Sequence, residues 1–435
     1  EVSSQDLRIT WRGESSSPFA GLPLLMDKHT RAVFSAWWGD PAEGVIQILP
    51  AESLINTAWE QRPSWAIVPF ETLEPRWKVL SIDGITPLSR DFDPASYALS
   101  IPFVLTTPPG LYDWSLPVSN RDPDQLTIVV MTGVTALVRG TALWMERYGI
   151  PYPAQNVGNL LASADITHIN NEVPFFWDCP EPALNTPWLV SCSPPEYIDL
   201  LDMVGADVIE LTGDHFGDWP PESMELTLSL YDQHGMATFG GGLNAEDARQ
   251  PALFEHNGNR IAFLGCHIGG EVKTETPEDA LATGELPGAS ECDFDWLQGE
   301  ITNLTSQGYQ VVFTFQHQEI YTYTASDRLV TDFSLPAEMG VSIVSGSQAH
   351  QPHGFAFESG AFIHYGLGNL FFDQYHYCAE YACDHAFIDR HVFYNGKHIS
   401  TELIPIKFVD LARPRLMNPE EEKRFLETIF AASGW

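Results

Sequence analysis

Four short polar runs hold the residue types that could do chemistry. They are Asn170-Asn171-Glu172, Gly213-Asp214-His215 with Asp218, Gln316-His317-Gln318-Glu319, and Gly346-Ser347-Gln348-Ala349-His350 with His353. Carboxylate oxygens and imidazole nitrogens ligate divalent cations, and the same groups carry protons as general acids and bases. Any one run alone reads most simply as a solvated loop. Each, however, directly follows a stretch with strand character, so all four can share one edge of a sheet, where sites form in α/β folds. Together they point to a divalent-metal or acid/base site. No Ser or Cys sits in a G-x-S-x-G elbow, so a nucleophile of that kind is not expected.

Those strands belong to an alternation that begins at Leu126. Leu126–Thr132 suits a buried strand, and Thr135–Tyr148 reads as a helix closed by Gly149 and Pro151. Asp165–Asn170 is a strand, Pro195–Val204 a helix, Ala206–Leu211 a strand, Glu222–His234 a helix and Met236–Phe239 a short strand. Ala252–Cys266 reads as a hairpin turned at Asn257-Gly258. Helices follow at Asp293–Gln307 and Ser326–Met339, with strands at Val311–Phe315 and Val341–Val344 after them. Gly354–Tyr365 and His391–Val409 are β-rich, and Asn418-Pro419 followed by three Glu starts a C-terminal helix. Strand–helix alternation predicts an α/β fold with helices on the sheet faces. Residues 1–122 differ in composition and form an N-terminal α/β accessory domain, ended by the polar stretch Asn120–Asp124. Residues 123–410 form the main domain and 411–435 a helical tail. The N-terminal tryptophans Trp37, Trp38, Trp59, Trp65 and Trp77 read as core packing ahead of a sugar-stacking surface.

Residues 126 to 375 resemble the CapA family of capsule and poly-γ-glutamate synthesis proteins. Its landmarks occur in order: Gly133-Val134 with Arg139, Asn170-Asn171-Glu172, Gly213-Asp214-His215-Phe216-Gly217-Asp218, Gly240-Gly241-Gly242 with Asn244, Phe315-Gln316-His317-Gln318-Glu319, Gly346-Ser347-Gln348-Ala349-His350 and Gly366-Leu367-Gly368-Asn369-Leu370. The resemblance implies a metallophosphoesterase-like fold, a two-sheet sandwich flanked by helices. The pattern Pro69-Phe-Glu, Leu80–Gly84 and Tyr97–Pro102 resembles, more distantly, a lobe of a solute-binding protein.

The departures from the family pattern matter more. Val134 stands where the family has Asp, Gln348 and Phe315 where it has His. A two-metal centre needs such ligands. What remains, on this resemblance, is Glu172, Asp214, His215 and His350 as ligands of one divalent metal (Mn, Zn or Ca). His317 or Glu319 would act as acid/base, and Asn170, Asp218, His353 and Asn369 would contact substrate.

The 435 residues carry 22 Lys+Arg against 58 Asp+Glu, a net charge of −36. So few bases exclude nucleic acid as a partner. No apolar stretch is long enough for a transmembrane helix. The chain begins at Glu1, read here as a processed N-terminus. Six cysteines without a C-x-x-C pair fall as three sequence neighbours, and the simplest pairing is 179–192, 266–292 and 378–383. Disulfides imply an oxidising, extracellular or cell-surface setting. The combined expectation is an extracellular subunit of exopolymer or envelope assembly. Its metal centre is degraded, and it is non-catalytic and binding, structural or self-assembling. Its partner is an anionic exopolymer, an envelope component or itself. The alternative is a metal-dependent hydrolase or transferase acting on a phosphate, ester or amide bond.

Overall fold

The structure, a computed structural model, describes residues 2–14, 19, 22–103, 119–184, 191–268, 280–373 and 384–435. The chain divides into two compact units, 1–126 and 127–435. The first holds α1 (Ser4–Trp11), β1 (Leu24–Met26), α2 (Lys28–Trp38), β2 (Ile46–Ile48), α3 (Leu54–Glu60) and β3 (Trp65–Ala66). Its strands are parallel, in the order β2-β1-β3. Ser3 and Asp6 close a capping box on α1, and Asp27 caps α2, so each helix start is written in local sequence. Trp11, Leu24, Met26 and Phe34 form a core against which Trp38 and Trp65 pack. Trp77 packs beside Leu25, Leu54 and Ala58, whereas Trp37 is exposed.

The second unit runs β4 (Leu126–Thr132), β5 (Val134–Thr135), α4 (Arg139–Tyr148), α5 (Gly158–Leu161), β6 (Ile166–Asn171), α6 (Ile198–Met203), β7 (Val208–Glu210), α7 (Pro221–Gln233) and β8 (Ala237–Phe239). It continues with β9 (Gly241–Gly242), α8 (Ala245–Ala248), β10 (Ala252–His256), β11 (Asn259–His267), β12 (Gly288–Ala289), α9 (Phe294–Ser306), β13 (Tyr309–Gln316), α10 (Asp327–Met339) and β14 (Ile343–Ser347). It ends with β15 (Phe355–Glu358), β16 (Ala361–His364), β17 (Asn369–Phe371), β18 (His385–Tyr394), β19 (Lys397–Phe408), β20 (Pro414–Leu416) and α11 (Pro419–Ala432).

Two sheets dominate. One has the order β17-β5-β6-β4-β18-β19-β20, with β7 on β6 and β8 on β7; the other is β10-β11-β13-β14-β16-β15. Their inner faces meet in one core: Val129, Ile166 and Val208 from the first, Phe263, Val312, Ile343 and Phe362 from the second. Outside the first sheet, Met145, Leu200, Leu201 and Tyr231 of α4, α6 and α7 cover Ile169 and Ile209. Outside the second, Leu297, Ile301 and Phe333 of α9 and α10 cover Val311, Phe313 and Phe315. The fold is α/β, a two-sheet sandwich flanked by helices.

The expected elements recur with local differences. The helix expected from Thr135 starts at Arg139, because Val134 and Thr135 are recruited as a strand between β6 and β17. The helix expected over Pro195–Val204 opens as a 3₁₀ turn at Pro195–Tyr197. The hairpin β10–β11 turns at Asn257 and Gly258, both at positive φ (48° and 72°). Helix α11 belongs to the second unit, with Phe425 and Ile429 in the inter-sheet core. Cys179–Cys192 and Cys266–Cys292 are disulfide-bonded as expected from spacing. The pairing 378–383 lies outside the described residues.

Candidate functional site

Strand parity aims the site. Along β6, Ile166, His168 and Asn170 face inward, with Glu172 next in that series; Ile169 and Asn171 face the outer helices. Along β13, Val312 faces the inter-sheet core, which sets Gln316 inward and Phe315 outward. The carboxyl ends of β6, β7, β13 and β14 therefore deliver Glu172, Asp214, Gln316 and Gln348 to one place. Close backbone approach completes it. A Cβ at Gly213 would lie 2.9 Å from Glu172 Cα, so only glycine lets the end of β7 come this near. Gln348 turns the chain at φ 71°, a left-handed conformation costly for a residue with a side chain.

At the centre is one amide nitrogen. Gln316 Nε2 donates to Asp214 Oδ1 at 3.0 Å and to Glu172 Oε1 at 3.3 Å, and it also contacts Gln348 Oε1. Gln348 Nε2 donates to the other Asp214 oxygen at 3.2 Å. His350 Nδ1 meets Asn369 Oδ1 at 2.8 Å. His267, at the end of β11, donates through Nδ1 to Thr212 O at 3.0 Å. Buried polar atoms without a hydrogen-bond partner gather on the same side: both amide atoms of Asn170, Gln316 Oε1 and Asn369 Nδ2.

The two carboxyls differ in charge. Burial, and then the Asp214 charge, push Glu172 well above the usual carboxyl range. Burial would also raise Asp214, but the charge of His215 and a hydrogen bond from Glu172 outweigh it and hold it low. Burial would lower His215. Its bond to Asp218 (Nδ1 to Oδ2, 2.7 Å) and the charge of Asp214 instead push it up to about 10. It is therefore an imidazolium at neutral pH. Burial lowers His350 and His267 below the usual imidazole range.

The structure thus brings together Glu172, Asp214 and His215, with Asp218 holding His215 and Asn369 holding His350. Glu319 accepts from Tyr321 and acts electrostatically on His350. His317 is turned away, because it follows Phe315 onto the outer face. Its Nε2 meets Asp332 at 2.8 Å and its Nδ1 accepts from the Gln318 N–H at 2.8 Å, so neither nitrogen serves the site. His353 belongs to another buried cluster: its Nδ1 meets Thr322 O and its carbonyl accepts from His364, which pairs with Asp389. Val134 is packed among Ala136, Val138, Val173 and Phe372. Phe315 lies in the outer core, so the β13 residue at the site is Gln316.

Gln316 and His267 escaped the sequence reading as site residues. The strand-end rule would have found His267, the last residue of β11. Also missed was the buried Glu210, which accepts from Thr212 and Ser347 and meets His168 Nε2 at 3.1 Å. Burial would raise Glu210, but His168 and these hydroxyls hold it below the usual range, so it ties β6 and β7 to β14 across the sandwich as an anion.

Residues 122–374 match the model of the family described as bacterial capsule synthesis protein PGA_cap. The chain belongs to this family. No curated protein matches the chain. Among solved structures, the PGA_cap chain is similar to a hypothetical protein from Thermus thermophilus at 13% identity and TM-score 0.40, covering 64% of this chain and 99% of that one. It is also similar to TT1561 of the same organism, at 12% identity and TM-score 0.31, covering 60% and 93%.

The metallophosphoesterase-like fold of the PGA_cap family implies a metal centre, and the side chains here do not fit one. Among the described residues, no three His, Cys, Asp or Glu side chains converge to hold an ion. The space between the two carboxyls is spanned by the Gln316 amide nitrogen instead. Among the described residues of this PGA_cap protein, no helix is long and apolar enough to cross a membrane.

Proposed function

We propose that this PGA_cap-family protein works outside the cell in exopolymer or envelope assembly, as a non-catalytic binding or structural subunit built on a lapsed metal centre. The family carries the link to capsule synthesis. The observation that supports a non-catalytic site is the shared donor. Glu172 and Asp214, the two carboxyls a metal would need, both accept from Gln316 Nε2. The disulfides Cys179–Cys192 and Cys266–Cys292 support an oxidising setting.

The unpartnered atoms of Asn170, Gln316 and Asn369 suit a polar ligand held by hydrogen bonds. They also favour the second reading, a hydrolase or transferase at the same edge, since orphaned buried acceptors are what a substrate or ion would satisfy. One experiment separates the two. Purified protein is incubated with capsular polymer, phosphomonoester and phosphodiester substrates, with and without Mn²⁺ or Zn²⁺, and polymer binding is followed in parallel. Binding or assembly without turnover supports the proposal. Metal-stimulated turnover that is lost in Glu172→Ala establishes the enzyme reading instead.

A further inference from the structure

We infer that Gln316 is a built-in plug. Its side-chain amide occupies the place of a cation between Glu172 and Asp214, and its removal opens a site for one hard divalent ion such as Mn²⁺ or Ca²⁺. This rests on the lapsed-centre reading above and deepens it.

The argument starts from what two buried carboxyls require. Glu172 and Asp214 are both almost wholly inaccessible to water. Buried acids that face each other need a proton, a cation or strong donors between them. Glu172 meets part of that need through its own hydrogen bond to Asp214, and Gln316 Nε2 adds donors to Asp214 Oδ1 at 3.0 Å and to Glu172 Oε1 at 3.3 Å. Its two N–H bonds are spread over three acceptors, the third being Gln348 Oε1. Turning the amide over would set its oxygen against both carboxyls, so the nitrogen-inward orientation follows from the acceptors. Gln316 Oε1 is left without a partner, which shows how far the nitrogen's contacts govern the side chain's placement.

Parity places this residue. Phe315 and His317 face the outer helices, so the one side chain β13 can send between the carboxyls is Gln316. Gln348 adds a second amide. Its Nε2 binds Asp214 Oδ2 at 3.2 Å, and its Oε1 points to the Gln316 nitrogen. With Gln316 shortened, that space is faced by two carboxyls and one amide oxygen. An all-oxygen set of this kind selects Mn²⁺, Mg²⁺ or Ca²⁺ over softer ions.

The test compares full-length wild type with Gln316→Ala and Gln316→Asn; the second keeps an amide too short to span both carboxyls. Metal is removed, Mn²⁺ or Ca²⁺ is added to millimolar level, and bound metal is counted after equilibrium dialysis. Thermal melting with and without the ion is the second readout. Wild type is expected to retain no ion at this site. Each variant is expected to retain one equivalent, to bind Mn²⁺ at least about tenfold more tightly than wild type, and to melt higher with the ion present. Adding Glu172→Ala to either variant is expected to abolish the gain. If folded variants gain no ion and wild type also holds none, the plug is overturned while the lapsed-centre reading stands. If wild type itself binds one equivalent that Glu172→Ala removes, both fall, and this outcome needs no variant of Gln316 to fold.

Discussion

His317 and Gln316 are adjacent and have opposite fates, and the cause is a rotation of about half a turn per residue along a strand. Both faces of β13 are buried, so Val311–Phe315 read as a strand without showing which face looked toward the site. His317→Ala should therefore leave ligand binding at Glu172 unchanged. It should cost about 1–3 kcal/mol of stability through the lost bond to Asp332; urea unfolding and polymer binding measured together check both halves. Arg139 offers a sharper case. Its guanidinium and the Gly140 N–H both bond Asp373, at 3.2 and 3.0 Å, and all of these groups are buried. Asp373→Ala removes one partner of this buried ion pair and is expected to destabilise by about 3–5 kcal/mol, read from the urea midpoint. The family pattern pointed to Arg139, but its partner, far along the chain, could not be read from spacing.

Elements place the site more than any single side chain does. Helix ends were legible because caps are local: Asn418 with Glu421 on α11, Ser326 on α10, Asp293 on α9. The start of α4 was not, because the pairing of Val134 and Thr135 with β6 and β17 overrides their helical neighbours. The loop after β7 shows how backbone approach governs geometry. Gly213→Ala brings a Cβ within 3.0 Å of the Glu172 carbonyl and against its Cα. It should push Asp214 away from Glu172 and weaken ligand binding about tenfold or more while the protein stays folded; calorimetric titration with near-UV circular dichroism tests this. An unchanged affinity would show that the approach of β7 to β6 does not matter.

At the scale of the molecule, the second unit carries a seam of buried histidines between its sheets. His364 pairs with Asp389 at 2.5 Å, His391 meets Thr401 at 3.0 Å, and His398 meets Ser400 O at 3.1 Å. Burial pushes His353 down to about 4 and His398 down to about 3, and burial together with His398 and His364 holds His391 well below the usual range. Each binds a proton more readily unfolded than folded. The stability they permit is thus complete above about pH 6.5 and falls as pH drops toward the folded values. Asp27, Asp384 and Glu210, held low in the fold, add to the loss only below about pH 4. The seam should therefore lower the urea midpoint at pH 5 relative to pH 7.5, against the opposite contributions of His215 and Glu172, whose folded values are raised. His398→Phe, which would pack beside Phe393, should shrink that difference; an equal drop in the variant would exclude the seam as its cause. The sequence by itself determined the α/β class, the order of most elements and the family, because periodicity, caps, turn residues and chain-order motifs are local; it offered the two described disulfides only as the simplest pairing. Which acids meet, which histidine turns away, and the amide set between Glu172 and Asp214 were decided only by tertiary structure. The bonds of Gln316 to Glu172 and Asp214 join residues more than a hundred positions apart, and strand parity has no inside or outside until two sheets close on each other.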